Sequence, residues 1–214
     1  PQSAGLRLLQ WLAVLGACAG AVSQEPEFDP FGGRTDIGFK ATGFFRTEHD
    51  GERWWLVTPE GGAFLSTGVN FVQYEGDAER GTGRRYYGEA VQAKYGSREK
   101  WAEATLQRFR DWGVNTIAGW SGSDLWGRLP FTMGFAFAPG QWSSRDGSVT
   151  PDFFDPAWEA FVKERAASAT ENAKNPWLIG YFLDNELPWA PDHRFGKSVF
   201  DGYLAMAPET PGKQ

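Results

Sequence analysis

A chain of 214 residues that is 41% hydrophobic and 16% aromatic has the composition of a folded domain and excludes a disordered one. Its formal net charge of -6 excludes a nucleic-acid binder, because a phosphate backbone is gripped by clustered Lys and Arg that release counterions. Eleven Trp exceed what a core of this size needs; most serve as core or groove walls, but indole faces also suit the apolar face of a sugar ring.

Near the start, Arg7 precedes the apolar run Leu8 to Leu15, which is too short to span a bilayer and has the shape of a secretory segment. Residues 1–23 are therefore expected to be a signal peptide of a bacterial protein that is secreted, periplasmic or anchored at the outer membrane. Two processing routes stay open: Ala21, Val22 and Ser23 offer a small-x-small cleavage site, and Leu15, Gly16, Ala17 and Cys18 resemble a lipoprotein box. Cys18 is the only cysteine, so no intramolecular disulfide is possible, and a lipid anchor on it is the one membrane contact expected. Residues 24–42 read as a linker, and residues 8–22 as a buried helix are the third alternative. Pro1 in place of Met, and a last stretch 207–214 without a closing element, read as cut ends. Residues 43–214 are accordingly expected to be the N-terminal part of a larger domain.

Two β-prone runs between Gly43 and Val57 flank Asp50 and Gly51, a hairpin signal. The apolar run Ala63 to Asn70 then predicts a first strand buried on both faces, as parallel sheets produce. Trp101, Ala104, Leu106, Phe109 and Trp112 recur at helical spacing, with Ser97 as cap and Gly113 as stop. Val114 to Trp120 predicts a second strand and Phe131 to Phe137 a third. A helix from Pro156 to Lys174, capped by Asp155, follows, and Trp177 to Leu183 predicts a fourth strand. Strand, helix and strand in alternation read as parallel βαβ units. Segments 74–96 and 138–154 read as long loops after strand ends, where a (β/α)8 barrel builds its active site; an open doubly wound sheet gives a similar element order.

Asp184, Asn185 and Glu186 end the otherwise apolar fourth strand, and Pro188 breaks the pairing beyond them. A carboxylate at the end of a buried strand is partly desolvated, which raises its pKa and makes it a proton donor near neutral pH; a solvated strand end with a capping Asp is the plain alternative. Trp120 and Trp189 stand at or just past strand ends as walls of a sugar subsite or as packing at a rim. Asn70 and Ser121 are candidates for binding sugar hydroxyls, Ser121 being equally a satisfied turn residue, and Trp142 is a further candidate. His49 and His193 are the only histidines and no zinc-ligand spacing occurs, so no metal is expected. Gly119 to Ser123 lacks the last Gly of a nucleophile elbow, and the glycine-rich stretch Gly81 to Gly88 reads as a mobile basic loop.

The ending at Asn185 and Glu186 resembles the Asn-Glu signature that closes barrel strand 4 in the glycoside hydrolases of clan A. Pro59 to Asn70 is similar to that clan's entry into strand 1, and Trp112 to Ile117 to its passage from helix 1 to strand 2; together these cover roughly residues 43 to 190. Within the clan, Asn115 to Ser121 combined with Gly180 to Leu187 is most similar to the β-agarase group. The resemblance implies the first half of a (β/α)8 barrel, strands 1 to 4, preceded by a small β-hairpin segment. It further implies retaining cleavage of a β-linked galactan such as agarose, with Glu186 as acid/base and Asn185 on the sugar 2-hydroxyl. The nucleophile is a Glu of strand 7, which lies past Gln214, so the fragment alone is expected to be inactive. Neither cofactor nor metal enters this chemistry, and the expected partner is a polysaccharide or oligosaccharide. A non-catalytic surface carbohydrate-binding protein and a clan A hydrolase of other specificity, such as a β-galactosidase or mannanase, are the alternatives. Asp184, Asp155 and Glu75 do not follow the family's arrangement for a second carboxylate.

Overall fold

The computed structural model describes residues 26–137, 152–186, 191, 196 and 198–214. Two four-stranded sheets organise them. The first is antiparallel, in the order β1-β4-β3-β2, from β1 (Arg34–Gly38), β2 (Arg46–His49), β3 (Trp54–Val57) and β4 (Gly62–Phe64). The second is parallel and follows chain order, β5-β6-β7-β8, from β5 (Gly68–Val69), β6 (Thr116–Ile117), β7 (Phe131–Gly134) and β8 (Leu178–Phe182). Among these strands there is no reversal of order of the kind that marks a doubly wound sheet. Helices α1 (Tyr86–Tyr95), α2 (Arg98–Trp112), α3 (Pro156–Ala167) and α4 (Val199–Ala205) complete the described secondary structure with short 3-10 turns.

The expected hairpin forms, with Arg46 opposite Val57 and His49 opposite Trp54. Its turn is built on one carboxylate. Asp50 accepts from the Glu52 and Arg53 amides at 2.8 and 2.9 Å and from the Trp55 indole at 2.6 Å. These donors, the indole first, hold its pKa down at about 2.

Three expectations change. The segment read as a linker, 24–42, contains β1, which pairs with β4, so the hairpin belongs to a full sheet. The run Ala63 to Asn70 is two strands: β4 stays with the antiparallel sheet and β5 opens the parallel one. The mostly apolar run is interrupted only by Ser66 and Thr67, and the structure turns there, at Leu65 to Thr67, where Asn115 donates to the Leu65 carbonyl and accepts from the Thr67 amide. Segment 74–96 contains α1. That helix has no fully buried residue and meets the core through half-buried Val91 and Tyr95 and a hydrogen bond that Gln92 accepts from the Tyr74 hydroxyl, so its apolar periodicity is faint. Gly88 lets it press against the preceding loop, since a Cβ there would lie 2.5 Å from the Glu75 carbonyl oxygen.

The core lies between α2 and the parallel sheet. Trp101, Ala102, Leu106 and Phe109 of α2 pack with Ile117, Leu125 and Phe131, and with Val72 and Tyr74 from the loop after β5. The Ser97 hydroxyl caps α2 by accepting from the Lys100 amide, and Gly113 ends it in left-handed backbone. Asp155 caps α3 ahead of Pro156, and the helix passes into a 3-10 turn at Ser168, short of the expected Lys174. Rings link the antiparallel sheet to the entry of β8: Phe31 lies 4.5 Å from Trp177 and 6.0 Å edge-on from Phe45, which in turn packs edge-on against Phe64 of β4 at 5.2 Å. No helix among the described residues is long and apolar enough to cross a membrane. Residues 1–23 with Cys18, and Trp142, Trp189 and His193, lie outside the described residues.

Two outcomes follow from this packing. Phe131→Ala, at a fully buried ring, lowers unfolding free energy by about 3–5 kcal/mol in chemical denaturation. Because the folded-state pKa of Asp50 is depressed, its contribution is present above the ordinary carboxylate range near 3.8 and is lost as pH falls through about 2. The protection of the Glu52 and Arg53 amides, measured as exchange relative to the free-peptide rate at each pH, is therefore expected to fall over that window, and Asp50→Asn to remove the acid transition.

Candidate active site

Period-two alternation fixes which side chains face the space beside the parallel sheet. Val69, Ile117 and Phe131 point to the α2 side and pack in or against the core. Their neighbours Gly68 and Asn70, Thr116 and Ala118, and Thr132 and Gly134 line a cavity of about 800 Å3. Most of these are small, and that is why the space exists: a Cβ on Gly68 would already lie 3.2 Å from that of Ala118. The sequence reading did not single out this lining, although the recurrence of Gly, Thr, Ala and Ser at every second strand position was its signal.

At the carboxyl ends of the strands the cavity is bounded by Trp120, Ser121, Asp184 and Asn185. Of the residues expected at a site, Asn70, Trp120, Ser121 and Asn185 thus share one cavity. Asp184, which sequence reasoning set aside, lines it as well. Glu186 follows immediately, exposed, and is not among the lining residues. Its exposure means that the described residues do not bury it as a strand-end carboxylate was expected to be buried. Each of Asp184, Asn185 and Glu186 has interaction partners. Glu75 and Asp155 are committed elsewhere, Glu75 to an ion pair with Arg98 and Asp155 to the α3 cap.

The loops after β5 and β6 are zipped together beyond the last strand residues. Phe71 donates its amide to the Gly119 carbonyl at 3.1 Å, and Gly122 donates to Val72 at 2.9 Å. The Val72 amide donates to the Ser121 hydroxyl at 3.1 Å, and the Gln73 amide group donates to the Trp120 carbonyl at 2.6 Å. Arg98, at the start of α2, ties both loops down from outside: it donates to Asp124 at 2.7 Å, pairs with Glu75, and lies 4.7 Å from the Tyr74 ring centre.

Among the described residues, the three non-glycine positions with left-handed backbone are Phe71 (φ 57°), Trp120 (φ 58°) and Glu186 (φ 51°). Each stands just after a parallel strand, at the cavity end of the sheet. Such conformations cost roughly 1–3 kcal/mol apiece in bulky residues and persist where surrounding bonds over-determine them.

Fold and site together define an α/β protein with a cleft at the carboxyl ends of parallel strands, a common position for ligand sites in such sheets. No family profile matches the chain. In sequence it is similar to Beta-agarase B of Vibrio sp. (strain JT0107), at 25% identity over 79% of this chain and 25% of that protein. It is also similar to Beta-agarase A of the same strain, at 22% identity over 64% of this chain and 19% of that protein. In structure it superposes on an agarase, AgWH50C, with a TM-score of 0.67 and 21% identity over 95% of this chain and 38% of the other. An exo-β-agarase gives 0.65 and 18% over 97% and 39%. BpGH50 gives 0.66 and 19% over 90% and 47%. The chain shares the fold of these proteins and spans about a quarter or less of the curated relatives' length.

The zipper predicts that Ser121→Ala, which strands the part-buried Val72 amide, lowers stability by about 1 kcal/mol in urea denaturation.

Proposed function

We propose that the whole protein carrying this chain is a clan A glycoside hydrolase that cleaves a β-linked galactan, agarose or a close relative, with retention of configuration. The observation that carries the reading is the convergence of Asn70, Trp120, Ser121, Asp184 and Asn185 on one cavity at the ends of parallel strands. The similarity to proteins named β-agarase supports the substrate. The four strands β5 to β8 are read as the first half of a (β/α)8 barrel, a reading supported by their parallel, chain-order arrangement.

In this mechanism Glu186 protonates the leaving oxygen and then activates water for the second displacement. Asn185 holds the sugar 2-hydroxyl, a bond that strengthens as the ring flattens toward an oxocarbenium-like state and so favours the transition state over the ground state. The nucleophile, a carboxylate about 5–5.5 Å from the acid/base, is supplied by the second half of the barrel. Asn70 and Ser121 bind hydroxyls, and Trp120 and Trp189 form subsite walls. The chemistry calls for neither metal nor organic cofactor. Export by the segment 1–23, with or without a lipid on Cys18, brings the enzyme to a polymer too large to enter the cell.

A second reading, a carbohydrate-binding protein without turnover, is favoured by one observation: Glu186 does not line the cavity that the sugar-binding residues do. Reducing-end release from agarose, measured on the whole protein, separates the two. Hydrolysis is expected to fall about 10²–10⁴-fold in Glu186→Gln and about tenfold to hundredfold in Asn185→Ala. Full activity in Glu186→Gln would sink the assignment of the acid/base, and saccharide affinity without any release would establish the binding protein.

A further inference from the structure

Phe71 and Trp120 are an anomaly as folding residues. Both occupy left-handed backbone, where glycine sits without strain and a bulky side chain does not. Burial does not compensate them, for Phe71 is 58% exposed and Trp120 51% exposed. Their rings nevertheless stack, with centres 5.4 Å apart and planes within 12° of parallel. Their backbone is pinned on both sides by the loop zipper, so the rings are presented in one fixed orientation before any ligand arrives. Trp120 borders the cavity while Phe71 does not. One indole face is therefore covered by the phenyl ring, and the open part of the indole belongs to the cleft.

We propose that Phe71 is the positioning residue of a preformed stacking platform: its ring backs the Trp120 indole, whose free face takes the apolar face of an uncharged pyranose at the mouth of the cavity. The neighbouring groups suit such a ring. Asn70, Ser121 and Asn185 are neutral hydrogen-bonding side chains, and among the described residues the charged ones lining the cavity are Asp184 and Arg165. A nucleobase would bring phosphates that this lining has no cluster of cations to meet. An offset pair fixes ring orientation through its quadrupoles, so the second ring contributes without touching the sugar. The platform rests on the reading of the cavity as a glycan cleft.

The test is affinity and stability measured together on the whole protein, by calorimetric titration with an agarose-derived hexasaccharide and by thermal melting. Trp120→Ala and Phe71→Ala are expected to weaken binding about tenfold, the difference expected from losing one such ring contact, and KM for the same oligosaccharide is expected to rise in step. Phe71→Tyr, which keeps the stack, restores affinity. Phe71→Gly relieves the left-handed strain, so its Tm is expected to hold or rise while its affinity stays low. A stack that served folding alone gives the opposite pattern, a lowered Tm in Phe71→Gly with affinity unchanged, and that result overturns the proposal. Agarose hydrolysis with the same KM in wild type and Phe71→Ala also overturns the platform and leaves the enzyme reading standing. Absence of agarose binding, with affinity for cellohexaose or mannohexaose that these variants abolish, supports the platform and removes agarose as the substrate.

Discussion

The burial of Ile117 and Phe131 against α2 is the constraint from which the rest of the site follows. Both are essentially inaccessible to water, and they occupy adjacent parallel strands in register with one another. Side chains alternate along a strand, so sealing these two on the helix side commits Thr116, Ala118 and Thr132 to the opposite side. A slip of one residue in either strand would drive Ile117 or Phe131 into the cavity and bring the small residues against Trp101 and Phe109. The hydrophobic effect thus sets the cavity's walls indirectly, by deciding what must not face it.

The strand ends carry the opposite balance. Three bulky or charged residues in left-handed backbone cost stability, and no local propensity favours them there. What holds two of them is the continuation of pairing past β5 and β6, in which side chains complete a broken backbone ladder: Ser121 stands in for a carbonyl as acceptor, and the Gln73 side chain for an amide as donor. Arg98 adds a brace from α2, but its guanidinium and Glu75 are each about half exposed and screened, so the pair orients the loops more than it stabilises them. Strain that is conserved by such redundancy is characteristic of sites where geometry serves binding or chemistry.

How much of this was legible depends on how local the cause is. The caps at Ser97 and Asp155, the stop at Gly113 and the turn at Asp50 are decided by side chains within a few residues, and they read directly. The parallel strands β6 to β8 read from apolar runs, one face packed on α2 and the other lining the cavity. What escaped was decided at a distance. The handover from β4 to β5 depends on Asn115, some fifty residues on, reaching back to Leu65 and Thr67. Strand β1 depends on a partner, β4, about thirty residues later, and it is polar because its side chains are mostly exposed. Helix α1 lies on a surface and buries almost nothing, so there was little apolar periodicity to find. At the site, Asn70, Trp120, Ser121 and Asn185 were legible as polar or aromatic punctuation at strand ends. Phe71 was not: an aromatic residue after an apolar strand looks like one more core residue until its exposure and its backbone are seen.

The order of the three polar residues ending β8 has a geometric logic. Phe182 and Asp184 are two apart and both line the cavity, as alternation requires. Asn185 lines it too, which alternation alone forbids, so the strand has ended and the chain has turned by that residue. The left-handed φ at Glu186 is the next step of that turn. A carboxylate there is carried on the rim by a turn that the sequence of backbone angles defines, and not by the pleat of the strand. Asp184, two residues past β8, borders the cavity, while Glu186 is exposed and does not. The two acidic residues so close in sequence therefore stand differently to the cavity, Asp184 on its lining and Glu186 outside it.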